Sequence, residues 1–365
     1  MSRLPLSYLP AVLSVCCLLG CGNTDAPARD YGPLLSKLSQ GVILPEHRAF
    51  ANQADELVST VQALVDDPGT DSLASAQDGW RAARRAYRML DALHFGPGYS
   101  LHISERIDAA PAEPDGIEAL VTADDSITDA TVANAGGHEK GFLGLEYLLF
   151  ADVTSSTEAA APVLSKDDFA ARRRELALAM AHELQKSAHQ LDDAWEPGRG
   201  GYIDQIETAG AGSTEYANQR AAVDDMVGGV SYALEMIVGV RLAMPLGRKS
   251  GSGPDPLLDP TRRSDNAIAD MQAMLAGITA MYADDGFSSV VHVKSAKLDE
   301  TVASGLSSVA QHLVLIPAPF SEALVNDTAL VRAAFDTGSD LKKTWNTDVS
   351  SALGATLKPS DNDGD

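Results

Sequence analysis

The body of this chain contains no cysteine. All three cysteines, Cys16, Cys17 and Cys21, lie within the first 21 residues. The rest of the chain therefore forms no internal disulfide and offers no thiolate as nucleophile or metal ligand. Basic charge is scarce: 28 Lys+Arg against 51 Asp+Glu leave a net charge of −23. A chain this acidic lacks the basic footprint that duplex binding requires, which excludes nucleic acid as a partner. Aromatic residues make up only 5%, and alternating apolar–polar runs of strand period are nearly missing. Catalytic motifs are missing too. His138-Glu139 and His182-Glu183 each lack the second histidine four residues after the first that a zinc-protease helix needs. Neither Gly210-Ala-Gly-Ser-Thr nor Gly251-Ser-Gly forms the Gly-x-Ser-x-Gly elbow of a serine hydrolase, and no Gly-rich phosphate loop occurs. No residue is assigned a catalytic role.

What is present begins with an export signal. Arg3 precedes an apolar run from Leu4 to Leu19, interrupted by Ser7 and Pro10. The run falls short of the about 20 apolar residues of a membrane span and reads as the apolar region of a secretory signal, residues 1–20. Leu18-Leu19-Gly20-Cys21 resembles a bacterial lipobox, which makes Cys21 the lipidated first residue and the membrane a partner through that anchor. Gly22, where inner-membrane lipoproteins of Gram-negative cells carry Asp, predicts an outer-membrane lipoprotein facing the periplasm or the cell surface. Residues 21–30 are the lipidated cysteine and a polar tether.

Beyond the tether the apolar period is helical. Leu57, Val61, Leu64 and Val65 share one face, as do Leu298, Val302, Val309 and Leu313. Ala-rich stretches at 166–194, 214–244, 265–283 and 320–353 behave alike, with Pro and Gly gathered between them. The fold class is all-α, most simply two four-helix-bundle-like domains, residues 31–200 and 201–365. The break falls where Glu196-Pro-Gly-Arg-Gly-Gly interrupts the pattern.

The most informative segment runs from Gly137 to Phe150. On a helix, Glu146 is ringed by Phe142, Leu143, Leu149 and Phe150, which predicts a buried carboxylate needing an arginine, a metal or a proton. Two readings stay open, a functional site and a structural ion pair tying two helices together. Arg81, Arg84, Arg85 and Arg88 form a stripe at i, i+3, i+4 and i+7, beside Trp80, Tyr87 and Asp91. Either these arginines snorkel past an aromatic contact, or Arg84 turns inward to pair with Glu146 or an anionic ligand. His182 and His189 stand too far apart to chelate together and read as a solvated face. The terminal Asp361-Asn-Asp-Gly-Asp reads as a solvated end rather than a calcium loop.

The same segment resembles the signature of the imelysin-like family of bacterial cell-envelope proteins, Gly-x-His-x-x-Glu followed by an aromatic, two leucines and an aromatic. Gly141, Glu146 and Tyr147-Leu148-Leu149-Phe150 match it, and Leu143 stands at the histidine position. Further matches are Trp80-Arg-Ala-Ala-Arg84 with Tyr87, Phe95-Gly96-Pro97, Arg106-Ile107-Asp108, Asp259-Pro260, Ser264-Asp265-Asn266-Ala267 with Asp270, and the ending Asn362 to Asp365. The resemblance implies two helical bundles with a cleft between them, lined by Trp80, Arg84, Tyr87, Asp108, Gly141, Glu146, Ser264 and Asn266. It implies association with iron uptake and its components as partners, and iron or another divalent metal as cofactor, with Glu146 as the metal ligand. Leu143 weakens that metal site, because His138 lies eight residues before Glu146, about 12 Å along a helix. Rescue would fall to His94, His102 or His182. Three functions follow as expectations: a lipid-anchored binding protein of the envelope, an envelope metallopeptidase, or a scaffolding lipoprotein with a vestigial cleft.

Overall fold

The computed structural model describes residues 29–151, 161–199, 201–283 and 285–357. The signal, Cys21, most of the tether and the acidic ending therefore lie outside the described residues. Among the described residues there is no strand, and the chain is all-α as its apolar period requires.

Helix α1 (Leu44–Asp66) buries Phe50, Ala54, Leu57, Val61 and Leu64, one stripe at spacings of three and four. It continues a π-helical segment, Ser39–Ile43, with Pro45 in its first turn, and Pro68 follows its end. Helix α2 (Thr70–Met89) begins where the Ser72 hydroxyl accepts from the Gly69 N–H, and carries Asp71 and Arg88 at the ends that suit its dipole. It buries Trp80, Ala83 and Tyr87, and with them the guanidinium groups of Arg84 and Arg88. Helix α3 (Gly141–Leu149) is the signature helix. It starts later than the sequence pattern suggested, because Gly141 adopts a φ of +69° after a short 3-10 turn at Gly137–Glu139. Helix α4 (Ala170–Trp195) packs along α1 and α3.

Helix α5 (Gln219–Glu235) begins where the Asn218 side chain accepts from the Ala221 N–H, and runs on into a π-helical segment, Met236–Ala243. Helix α6 (Ala267–Tyr282) buries most of its circumference, through Ala267, Asp270, Met271, Met274, Leu275, Ile278 and Met281, and leaves one stripe through Gln272 and Thr279 exposed. So wide a buried face needs partners on several sides, and α6 packs against α2, α5 and α8 (Ala296–Leu315). Gly277 permits this: a Cβ there would lie 2.2 Å from the carbonyl oxygen of Met89 at the end of α2. Helix α7 (Phe287–Lys294) leads into α8 (Ala296–Leu315), which packs on α9 (Thr328–Thr344). The stretch read from sequence as one helix over 320–353 is broken at Asp327, where φ is −122° and ψ 33°. Contacts between α2 and α6 carry Arg84 to Asp270 and set up the site.

Candidate functional site

Two buried helices meet here with opposite charge. Arg84 on α2 is wholly buried. Its Nε donates to both carboxylate oxygens of Asp270 on α6 at 3.0 Å, its Nη2 to Asp270 Oδ2 at 2.7 Å and its Nη1 to Asp108 Oδ1 at 2.7 Å. Arg88, one turn on, donates to Asp108 Oδ2 and to Asp91 Oδ2. Asn266 Nδ2 donates to Asp270 Oδ1 at 2.7 Å, and Arg241 Nη1, from the π-helical segment, lies 3.5 Å from Asp270 Oδ2. Aromatic faces close the cluster. The Arg84 guanidinium sits 5.4 Å from the ring centres of both Trp80 and Phe142, and Tyr87 stacks on Phe142 at 5.4 Å. Trp80 Nε1 donates to the Phe142 carbonyl at 2.9 Å, fixing α3 to α2.

Glu146 is 2% exposed, as its ring of apolar neighbours implied. Of the arginine, metal or proton left open for it, no arginine is its hydrogen-bond partner. Glu146 Oε1 accepts from the backbone N–H of Ser264 at 2.9 Å and from its hydroxyl at 2.7 Å. Arg84 turns inward, one of the two readings left open, but it is committed to Asp270 and Asp108, and Glu146 is a hydrogen-bonded carboxyl without that guanidinium. Two nearer carboxylates satisfy the guanidinium fork, and the loop before α6 delivers two donors to Glu146 instead.

The electrostatics follow from numbers of groups. Three buried guanidiniums, Arg84, Arg88 and Arg241, face five carboxyl groups, Asp91, Asp108, Asp259, Asp270 and Glu146. Burial pushes Glu146 up to about 7, against the pull of the Ser264 hydrogen bonds and the Arg84 charge. Burial likewise takes Asp91 up to about 6 and raises Asp259. Burial also works on Asp108, but there Arg88, Arg84 and Arg241 outweigh it and hold the group below the usual carboxylate range. Burial thus wins where cationic neighbours are few, as at Glu146, and loses where three guanidiniums converge, as at Asp108.

All the positions assigned to the cleft from sequence are drawn into this one region. Trp80, Arg84, Tyr87, Glu146, Ser264 and Asn266 are buried, and Gly141 lies so close to the Ile107 carbonyl, beside Asp108, that a Cβ would be 2.3 Å away. Asp91, Arg88, Asp259 and Asp270 belong with them and were noticed in the sequence only as parts of motifs. Arg241 was missed. Its signal was the one that marked Glu146, a lone charge in an apolar run, Met236 to Ala243.

A metal held by Glu146 does not fit this donor set. Leu143 is buried in the histidine position, Glu146 Oε1 already accepts two hydrogen bonds, and among the described residues no three His, Cys, Asp or Glu side chains are grouped to hold an ion. The distant histidines are engaged elsewhere. His94 stacks on Tyr232 with ring centres 3.9 Å apart, His102 pairs with Glu105, and His182 pairs with Asp129.

Comparison with known proteins places this geometry. A crystal structure of a putative iron-regulated protein A precursor from Parabacteroides distasonis superposes with a TM-score of 0.77, covering 90% of this chain and 97% of that one at 17% identity. An imelysin-like protein from Psychrobacter arcticum gives 0.72 at 18% identity, covering 90% and 96%. In sequence, iron-regulated protein A of Synechococcus elongatus is 25% identical over 228 residues, 62% of this chain and 58% of that protein. The match thus spans little more than half the length of that relative. The Imelysin family model matches residues 43–344, most of the chain, and with the signature helix and the α6 motif in their places this protein belongs to the imelysin family.

Proposed function

We propose that this chain is a lipid-anchored envelope protein that serves iron uptake as a binding component, not as a catalyst and not through a metal on Glu146. One observation carries the reading. The signature carboxyl is occupied by Ser264, with Leu143 one turn before it at the histidine position, which supports reading the signature as a structural joint. That joint ties α3, in the half 31–200, to the loop before α6, in the half 201–365. The iron-regulated name of the Synechococcus relative supports the iron connection. The lipobox ending at Cys21 supports the anchor, and Gly22 supports the outer membrane.

The test has three arms. Elemental analysis of the purified chain should find no stoichiometric iron, copper or zinc, and Glu146→Gln should change nothing. Labelled fatty acid should enter the wild type and not Cys21→Ala. Deletion in the host should slow growth under iron limitation, and Glu146→Gln should restore it. A stoichiometric metal lost in Glu146→Gln would overturn the reading. Scaffolding is the second reading, favoured by the depth at which the charges are buried, and it predicts no iron-dependent growth defect.

A further inference from the structure

Away from the buried charges, α6 and α8 run beside one another with a groove of about 960 Å³ between them. Its walls are Leu275, Ala276 and Ala280 on α6 and Ala303, Leu306 and Ala310 on α8. Alanine in four of these six places leaves the space between the helices unfilled by side chains. The α6 wall from Gln272 to Ala283 is about 16 Å long at 1.5 Å per residue. Ligand sites of about 300–1,000 Å³ with apolar walls and a few placed polar groups are the ordinary form of small-molecule pockets.

The charged group is at one end, while Gln272, Thr279 and Ser307 are neutral polar groups along the walls. Asp299 is the one charged side chain among the lining residues. Its Oδ1 accepts from Tyr282 Oη at 2.9 Å and Ser288 Oγ at 2.7 Å, and its Oδ2 pairs with His292 Nδ1 at 3.0 Å. Partial burial works to raise Asp299, but these donors outweigh it and hold the carboxyl below its usual range, so the end of the groove is anionic. A carboxylate offers about four acceptor positions, and three are taken. Val314, at the other end, is 69% exposed, and Leu315 beside it 59%, so the apolar track continues to the surface. An anionic head would be repelled at Asp299, whereas a cation gains a direct contact there and keeps its tail on the alanine walls.

We propose that this groove binds a single-chain amphiphile, its apolar tail lying between α6 and α8 and its cationic head on the open acceptor position of Asp299 Oδ2. The proposal is independent of the iron reading, because no residue of the buried charge cluster lines the groove.

Calorimetric titration of the full chain carrying Cys21→Ser, which has no acyl group of its own, tests it with dodecylammonium and dodecyl sulfate, both kept monomeric. The expected result is one dodecylammonium per chain, bound about tenfold more tightly than dodecyl sulfate. A net charge of −23 attracts any cation, so the local contact is isolated by Asp299→Asn, which changes the total by one. The preference should then fall to about twofold or less while the tail still binds. Ala303→Leu, at an exposed position on the wall, should abolish binding of both amphiphiles with the melting curve retained. If Asp299→Asn fails to fold, His292→Ala tests the same contact, because freeing Oδ2 should tighten dodecylammonium alone. Vesicles of two-chain phosphatidylethanolamine should not compete. Unsaturable binding, binding that survives Ala303→Leu, a head-group preference unchanged by Asp299→Asn or His292→Ala, or competition by the vesicles would each overturn the assignment.

Discussion

Arg84 and Asp270 stand 186 residues apart in the chain, yet Arg84 Nη2 reaches Asp270 Oδ2 at 2.7 Å with neither side chain exposed to solvent. This pair crosses from α2 to α6 and organises everything around it. Desolvating two charges is expensive, so their worth as a pair is small beside the harm of leaving one alone. Asp270→Asn should therefore destabilise the protein by about 3–5 kcal/mol in urea unfolding. The double variant Arg84→Met, Asp270→Leu should recover part of that loss, limited by Asp108, which would lose one of its cations. Losses that simply add in the double variant would mean the two residues are not coupled.

Glu146 makes stability depend on pH in a stated direction. Its carboxyl is raised from 4.5 to about 7 in the folded chain, so the folded state holds a proton that the unfolded state has already released. There is no penalty below the unfolded pKa. It grows as pH rises from 4.5 and is complete above about 7, at roughly 3 kcal/mol. Asp91, raised to about 6, adds to the same slope, whereas Asp108, held low, has gained its full contribution at lower pH and is flat across this window. Unfolding free energies of wild type and Glu146→Gln between pH 5 and pH 8, ends fixed by these pKa values, should differ by a term that favours Gln increasingly as pH rises. Parallel curves would refute a proton on Glu146.

Ser264 sets where that titration falls. Its N–H and hydroxyl both favour the ionised carboxyl. Ser264→Ala removes the hydroxyl and keeps the N–H, so the Glu146 midpoint should move to higher pH. The variant should lose about 1–3 kcal/mol at alkaline pH, where the carboxylate is stranded, and less in acid. Carbon-13 NMR of the labelled Glu146 carboxyl reads the midpoint directly, and a midpoint that moves down would contradict the arrangement.

Parts of this site were legible in the sequence because they obey local rules. The ring of apolar residues at i±3 and i±4 announced the burial of Glu146, and the arginine spacing showed that one face of α2 carried a stripe. The stripe alone did not reveal that it splits, with Arg84 and Arg88 inside and Arg85 outside. That division is imposed by Asp270 and Asp108, which come from other elements. The Glu146 partner was hidden for the same reason, since Ser264 is 118 residues away. Arg241 reaches Asp270 from a π-helical segment, whose altered turn shifts the facing of each residue and defeats a reading at 3.6 residues per turn. The break at Asp327 carries no Pro or Gly, so a helical run was expected to continue through it.

Gly141 and the signature should not tolerate a side chain. The residue combines a φ of +69° with an approach that would place a Cβ 2.3 Å from the Ile107 carbonyl oxygen. The left-handed conformation alone costs a non-glycine residue about 1–2 kcal/mol, and the contact is with backbone that cannot rotate away. Gly141→Ala should lower stability by more than about 2 kcal/mol, and denaturant unfolding checks it. Its start-of-helix position means that Trp80, bonded to the Phe142 carbonyl, should show altered fluorescence in the same variant.

Gly277 and Gly305 offer an opposed pair, because packing can yield to helix propensity at one and overrides it at the other. Each lies inside a helix, where alanine is favoured over glycine by about 1 kcal/mol. At Gly305 on α8 the nearest neighbour of an added Cβ is Leu341 Cδ1 at 3.0 Å, the end of a side chain able to give way. Gly305→Ala should be neutral or stabilising by up to about 1 kcal/mol. At Gly277 on α6 the neighbour is the Met89 carbonyl oxygen at 2.2 Å, held in the last turn of α2. Overpacking there costs about 1–3 kcal/mol and forces the helices apart, so Gly277→Ala should destabilise despite the propensity gain. The separation would lengthen the Arg84–Asp270 contact carried by the same two helices. In the Gly277→Ala background, Asp270→Asn should consequently cost less than it does in the wild type, whereas in Gly305→Ala its cost should be unchanged. Equal costs in both backgrounds would show that the α2–α6 spacing does not govern the pair.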